Sequence, residues 1–152
     1  MVKEPQPIEA QRSAGLGARD TLRTEMGYPL HGQDISPSIT PVEAGMSWAI
    51  GWDKPTFGGR EALVSQRKSG PARRLRALRA MQRAVPRSHM DVLSSEGATV
   101  GEVTSGTFSP TLKEGIALAL MDASVNIDDE VVVDVRGRHV PFAVVKAPFV
   151  AS

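Results

Sequence analysis

Two arginines four residues apart, Arg19 and Arg23, stand among Asp20, Glu25 and Tyr28 near the start of the chain. A guanidinium fork offers donors that match a carboxylate, or a flat heteroaromatic edge bearing carbonyl and ring nitrogens. The same charges could equally pair with one another at the surface, an arrangement worth little. Residue chemistry alone leaves both readings open. Other chemistry is more restricted. The chain has no cysteine, which removes disulfides, thiolate nucleophiles, thiolate zinc sites and cysteine-ligated iron–sulfur clusters. His31, His89 and His139 are too scattered for local metal-ligand spacing, and no Gly-x-Ser-x-Gly elbow marks a nucleophilic serine. No catalytic residue and no metal ligand is therefore assigned.

A second cluster lies further on. Arg73, Arg76, Arg79, Arg83 and Arg87 recur every three or four residues, a spacing that would line one face of a helix and could track phosphates or an acidic protein. Leu75, Leu78 and Met81 also allow a strand there, with the arginines partly solvated. Aromatics for base stacking are few, so nucleic-acid binding is the weaker expectation. Gly15-x-Gly17 lacks a preceding strand and a third glycine, and so fails as a dinucleotide fingerprint.

The elements that must position these residues emerge from pattern. The chain has 152 residues, 41% hydrophobic and 23% charged, with a net charge of +1; this is the composition of a globular protein long enough to bury a core. No apolar run approaches the roughly 20 residues that span a bilayer, and the start lacks the apolar segment of a signal peptide. A cytoplasmic protein without membrane contact is the expectation. Residues 1–14 read as a flexible lead-in. Leu16, Ala18, Leu22 and Met26 fit a short amphipathic helix that Gly27 and Pro29 would end. Thr40-Pro41-Val42-Glu43 has the chemistry of a helix start, with a capping threonine and a glutamate three residues on. Trp48 to Trp52 reads as extended and buried on one side, and Gly59 to Lys68 as a surface helix that Gly70 and Pro71 stop.

After Pro71 the pattern turns strand-like. Thr99–Thr104, Gly115–Met121, Glu130–Val135 and His139–Lys146 are short apolar runs separated by turn formers, and Gly137 suits a hairpin. The fold class expected is α+β: a helical, irregular region over residues 15–70, then a small antiparallel β-barrel over residues 71–152.

Several of these segments together resemble a known family. GLGARDTLRTEMGYPLHGQDI from Gly15, TPVEAGMSWAIGW from Thr40 and FGGREAL from Phe57 are similar to the late folate-binding region of the glycine cleavage system T-protein, an aminomethyltransferase. GATVGEVTSGTFSPTLKEGIALAL from Gly97 and VRGRHVPFAVVKAPFV from Val135 resemble its C-terminal barrel. The resemblance implies transfer of an aminomethyl group, carried on the lipoyl arm of the H-protein, to tetrahydrofolate, with methylenetetrahydrofolate, ammonia and the reduced arm as products. It places Arg19 and Tyr28 against folate. The family's aspartate near the reacting nitrogen and its pterin-gripping glutamate belong to the N-terminal half, so this chain alone is expected to be inactive and to need that missing half as a partner. Oxidases of dimethylglycine and sarcosine carry a similar terminal region and are the alternative source. Parting from the N-terminal half would expose Leu16, Leu22, Met46, Trp48 and Trp52 and favour self-association.

Overall fold

The computed structural model describes residues 14–150; the expected lead-in falls, but for its last residue, outside them. Helix α1 spans Leu16–Glu25. It ends because Gly27 takes φ +68°, where a side chain would be strained. The Gly27 N–H then reaches Thr24 O at 2.8 Å and the Tyr28 N–H reaches Arg23 O at 2.8 Å, which is the Schellman pairing that satisfies the last carbonyls. The helix is laid down with its polar side inward. Thr24 and Glu25 are buried, whereas Leu16 is 83% and Leu22 62% exposed.

The capping box forms, yet no helix continues from it. The Glu43 N–H donates to Thr40 Oγ1 at 3.1 Å, and the Thr40 N–H donates to Glu43 Oε2 at 2.9 Å. One turn is completed before Gly45 enters the left-handed region at φ +70°. Glu43 is held instead by β1 (Arg73–Ala80): its Oε1 accepts from Arg73 Nε at 3.0 Å and its backbone oxygen from the Leu75 N–H at 2.8 Å. The expected extended stretch at Trp48–Trp52 is also corrected. Ser47–Ala49 forms a 3-10 turn and Trp48 is 82% exposed. Trp52 is half-buried, its Nε1–H bonded to Ser47 O at 2.8 Å and its ring covered by the Arg67 guanidinium at 4.6 Å. Arg67 belongs to α2 (Arg60–Ser69), which stops at Gly70 as expected.

Five further strands come after β1: β2 (Asp91–Leu93), β3 (Thr99–Ser109), β4 (Glu114–Asp122), β5 (Glu130–Val135) and β6 (Arg138–Val145). They close into an antiparallel barrel in the order β1-β4-β3-β2-β5-β6. Closure leaves no sheet edge and a filled interior. Leu78, Val92, Val103, Ala117, Met121, Val133, Phe142 and Val144 occupy that interior. Arg136 and Gly137, both at positive φ, make the two-residue β5–β6 turn, matching the strands' twist.

Forming β1 as a strand overturns the helical arginine face. A spacing of three in a strand sends successive side chains to opposite faces, so Arg73, Arg76 and Arg79 diverge. Arg73 pairs with Glu43, Arg76 donates to Val125 O at 3.1 Å from Nη2, and Arg79 pairs with Glu114. Residues 84–87 then pass so close to the β3–β4 pair that only glycine fits beneath them. A Cβ on Gly106 would lie 2.6 Å from Pro86 O, and one on Gly115 2.3 Å from Ala84 O.

Candidate functional site

The site is built where α1 and the loop after it meet the outer face of β3. Alternation places Ser105, Thr107 and Ser109 on one side of that strand, a row of hydroxyls two residues apart. The register between β3 and β4 shifts between Val103 and Ser105. Such a bulge re-aims side chains, and here Thr104 joins Ser105 in bonding one carboxylate. Asp34, fully buried, accepts from Thr104 Oγ1 at 2.5 Å, Ser105 Oγ at 2.8 Å, the Leu30 N–H at 2.7 Å and Arg23 Nη1 at 2.7 Å. A buried charge needs this many partners to offset its lost hydration.

Arg23 is fully engaged by the same network. Besides Asp34, its Nη1 reaches Tyr28 O at 3.4 Å; Nη2 donates to Ser105 Oγ at 2.9 Å and Asp20 Oδ1 at 2.5 Å; Nε donates to Asp20 Oδ1 at 2.8 Å. All five N–H groups of a guanidinium are thereby accounted for. Glu25, the last residue of α1, accepts from Ser109 Oγ at 2.5 Å. Burial pushes its carboxyl pKa up, but the hydrogen bonds from Ser109 and Thr111 outweigh that and hold it below the ordinary value. The Phe149 N–H bonds Glu25 O at 2.9 Å, fastening the C-terminal segment to the same point.

Arg19 is different. It lies one helical turn before Arg23 and is exposed, with no hydrogen bond or ion pair from its side chain to another described residue. Tyr28, just past the helix, is 60% exposed, its backbone fixed through Arg23. No hydrogen bond or cation–π contact joins the two side chains, and neither lines the five surface clefts of about 270–490 Å³ formed by residues 42–76, 80–114 and 83–138. Of the two arginines in the motif, Arg23 has no donor left for a ligand, whereas none of Arg19's is taken by another described residue. Sequence reasoning singles out Arg19 and Tyr28 but passes over Asp34, Ser105 and Ser109. The signal that could have found them is the alternation of hydroxyls at 105, 107 and 109, which marks a polar strand face in need of polar cover.

Comparison with known proteins places this arrangement. Residues 73–151 match the glycine cleavage T-protein C-terminal barrel domain, and residues 3–54 match the GCVT N-terminal domain. Proteins named aminomethyltransferase from Parafrankia sp. (strain EAN1pec) and Frankia alni are each 64% identical over 138 residues, covering 91% of this chain and 38% of theirs. One from Mycobacterium tuberculosis is 56% identical over 140 residues, with 91% and 38% covered. The crystal structure of glycine cleavage system aminomethyltransferase T from Bartonella henselae superposes with a TM-score of 0.84 at 35% identity, over 90% of this chain and 39% of that one.

The class these relatives define is that of the aminomethyltransferases, and the fold is shared with the Bartonella henselae structure. The chain belongs to the glycine cleavage T-protein family. It spans 38% of the length of the curated relatives it matches.

Proposed function

We propose that this chain supplies the C-terminal part of a tetrahydrofolate-dependent aminomethyltransferase, with Arg19 and Tyr28 facing the folate. The reaction would pass the carbon of an aminomethyl group on the lipoyl H-protein to tetrahydrofolate, releasing ammonia, in the cytoplasm. Bound tetrahydrofolate would supply the nitrogen that accepts the carbon. The chain's own part is to bind and orient. The observation that supports this reading is the division of labour on α1: Arg23 is consumed by Asp34, Asp20 and Ser105, while no described residue pairs with or hydrogen-bonds the Arg19 side chain. An exposed guanidinium and an exposed phenol, one on α1 and one just after it, suit the polar edge of a pterin or the carboxylates of a folate.

No residue of the chain is assigned a proton-transfer role. Preorganised charged groups typically contribute factors of about 100 to 1000 each, so a chain carrying only the orienting residues should be inactive without the family's N-terminal part. The test is reconstitution. Residues from the Frankia alni aminomethyltransferase that precede the matched region are joined to this chain, and tetrahydrofolate binding and aminomethyl transfer are measured with Arg19 intact and with Arg19→Ala. Loss of folate binding in the variant supports the assignment; equal binding ends it.

A further inference from the structure

A cleft of about 270 Å³ opens between the loop at residues 42–47, the C-terminal end of α2 and the start of β1. Arg67, Arg74 and Arg76 line it, with Ser47 beside them. Its volume falls just under the roughly 300 Å³ at which pockets for drug-sized ligands begin. Only a small occupant fits.

Two of these guanidiniums are already oriented. Arg67 lies over the Trp52 ring at 4.6 Å, and a stacked guanidinium keeps its in-plane N–H groups for other acceptors. Arg76 donates from Nε at 3.2 Å and from Nη2 at 3.1 Å to Val125 O, a neutral acceptor, and no described residue takes its Nη1. Arg74 stands two residues before Arg76 and therefore on the same face of β1. No described residue hydrogen-bonds the side chain of Arg67 or Arg74.

The positive charge here lacks a counterpart. Glu43 is the one carboxylate lining the cleft, and it is taken up by Arg73 and the Thr40 N–H. Asp129, which attracts Arg76 from just before β5, accepts the Asn126 N–H at 2.7 Å. Among the described residues no ion pair engages Arg67, Arg74 or Arg76. Burial first, and then the like charge of Arg74, draws Arg76 below the ordinary arginine value, and Asp129 only partly opposes this. Like charges held so close repel, and a bound anion would offset the repulsion.

We infer that this cleft binds a phosphate group, free or as the monoester of a small molecule, between the forks of Arg67 and Arg74 with Arg76 beside them. Guanidinium forks match paired phosphate oxygens, and three converging cations suit a dianion better than a single carboxylate. The inference uses neither Arg19 nor Tyr28, and so stands apart from the proposed reaction.

The test titrates the full chain with inorganic phosphate, glycerol phosphate and the dicarboxylate glutarate, at an ionic strength held constant with sodium chloride so that general screening is the same throughout. Backbone amide shifts should saturate with either phosphate at residues 42–47, 67–70 and 74–76. Arg67→Gln and Arg74→Gln should each weaken binding about tenfold, the loss expected from one charge-assisted hydrogen bond. Lys68→Gln, next along α2 but outside the cleft, should leave it unchanged. Phosphate should also raise the unfolding midpoint of the wild-type chain but not that of R67Q/R74Q, with circular dichroism showing that the variant keeps its fold. Equal affinity for the two phosphates assigns the free ion, and tighter binding of the ester assigns a phosphorylated small molecule. Absence of saturation by either, binding undiminished in R67Q/R74Q, or tighter binding of glutarate would each overturn the inference.

Discussion

Arg23 and Asp34 form an ion pair, Nη1 to Oδ2 at 2.7 Å, between a helix and the loop after it, with the carboxylate wholly buried against β3. Removing Arg23 leaves the Asp34 carboxylate charged in the interior without its cation, and removing Asp34 leaves the largely buried Arg23 with Asp20 as its one carboxylate. Arg23→Ala or Asp34→Ala should therefore lower stability by about 3 kcal/mol, read from urea unfolding. The double variant should cost clearly less than the sum of the two. Additive costs would show that the pair is not coupled.

Glu25 and Glu43 make acid stability specific. Both carboxyls are held below their ordinary value: burial raises each, and hydrogen bonds from Ser109 and Thr111, or from Thr40 and Arg73, more than reverse it. A group whose pKa is depressed in the folded state stabilises that state above its unfolded pKa and loses the contribution as pH falls through the folded one. Stability should thus be level above the ordinary carboxyl value of 4.5 and decline below it. In Ser109→Ala the decline should shrink, because one of the bonds that favours the charged Glu25 is gone. A pH series of unfolding midpoints gives the answer.

The crossing of residues 84–87 over β3 and β4 leaves no room for a methyl group. Gly106→Ala and Gly115→Ala should each cost about 2 kcal/mol through overpacking against backbone, whereas Gly58→Ala, with open space around its Cβ position, should be near neutral. Calorimetric melting of the three variants separates them.

Exposed Leu16, Leu22 and Trp48 should draw copies of the free chain together. Sedimentation should show concentration-dependent association, reduced in a Leu22→Glu/Trp48→Glu variant. A strictly monomeric wild-type chain at high concentration would contradict this.

Legibility in the sequence tracks the reach of the interactions. The bounds of α1 and α2 depend on neighbours in the chain, such as the glycines at 27 and 70, and are readable from them. So are β4 to β6, whose apolar runs are separated by turn formers, whereas the run read over Thr99–Thr104 covers only the first half of β3, which continues through the hydroxyl row to Ser109. β1 is ambiguous because arginines three apart imitate a helical face, and β2, at three residues, is too short to leave a pattern. The capping box at Thr40 is legible as chemistry and misleading as a helix start, because Gly45 and the distant pull of Arg73 on Glu43 turn the chain aside after a single turn. The α1 helix shows the same limit at the site. Its leucines suggest an apolar inward face, but β3 presents hydroxyls, so the polar side turns in and Arg23 is used up while Arg19 is not. Only tertiary partners 70 to 84 residues away in the chain reveal that choice.

All fifteen members of the barrel's apolar cluster fall between Leu78 and Val144. The interior is thus filled by material from one contiguous stretch, and no described residue upstream of Arg73 belongs to it. A lineage that grafted a foreign leader onto this stretch would inherit a finished scaffold. Its one obligation would be to offer donors and acceptors to Thr104, Ser105, Thr107 and Ser109, the hydroxyls that β3 turns toward whatever covers it.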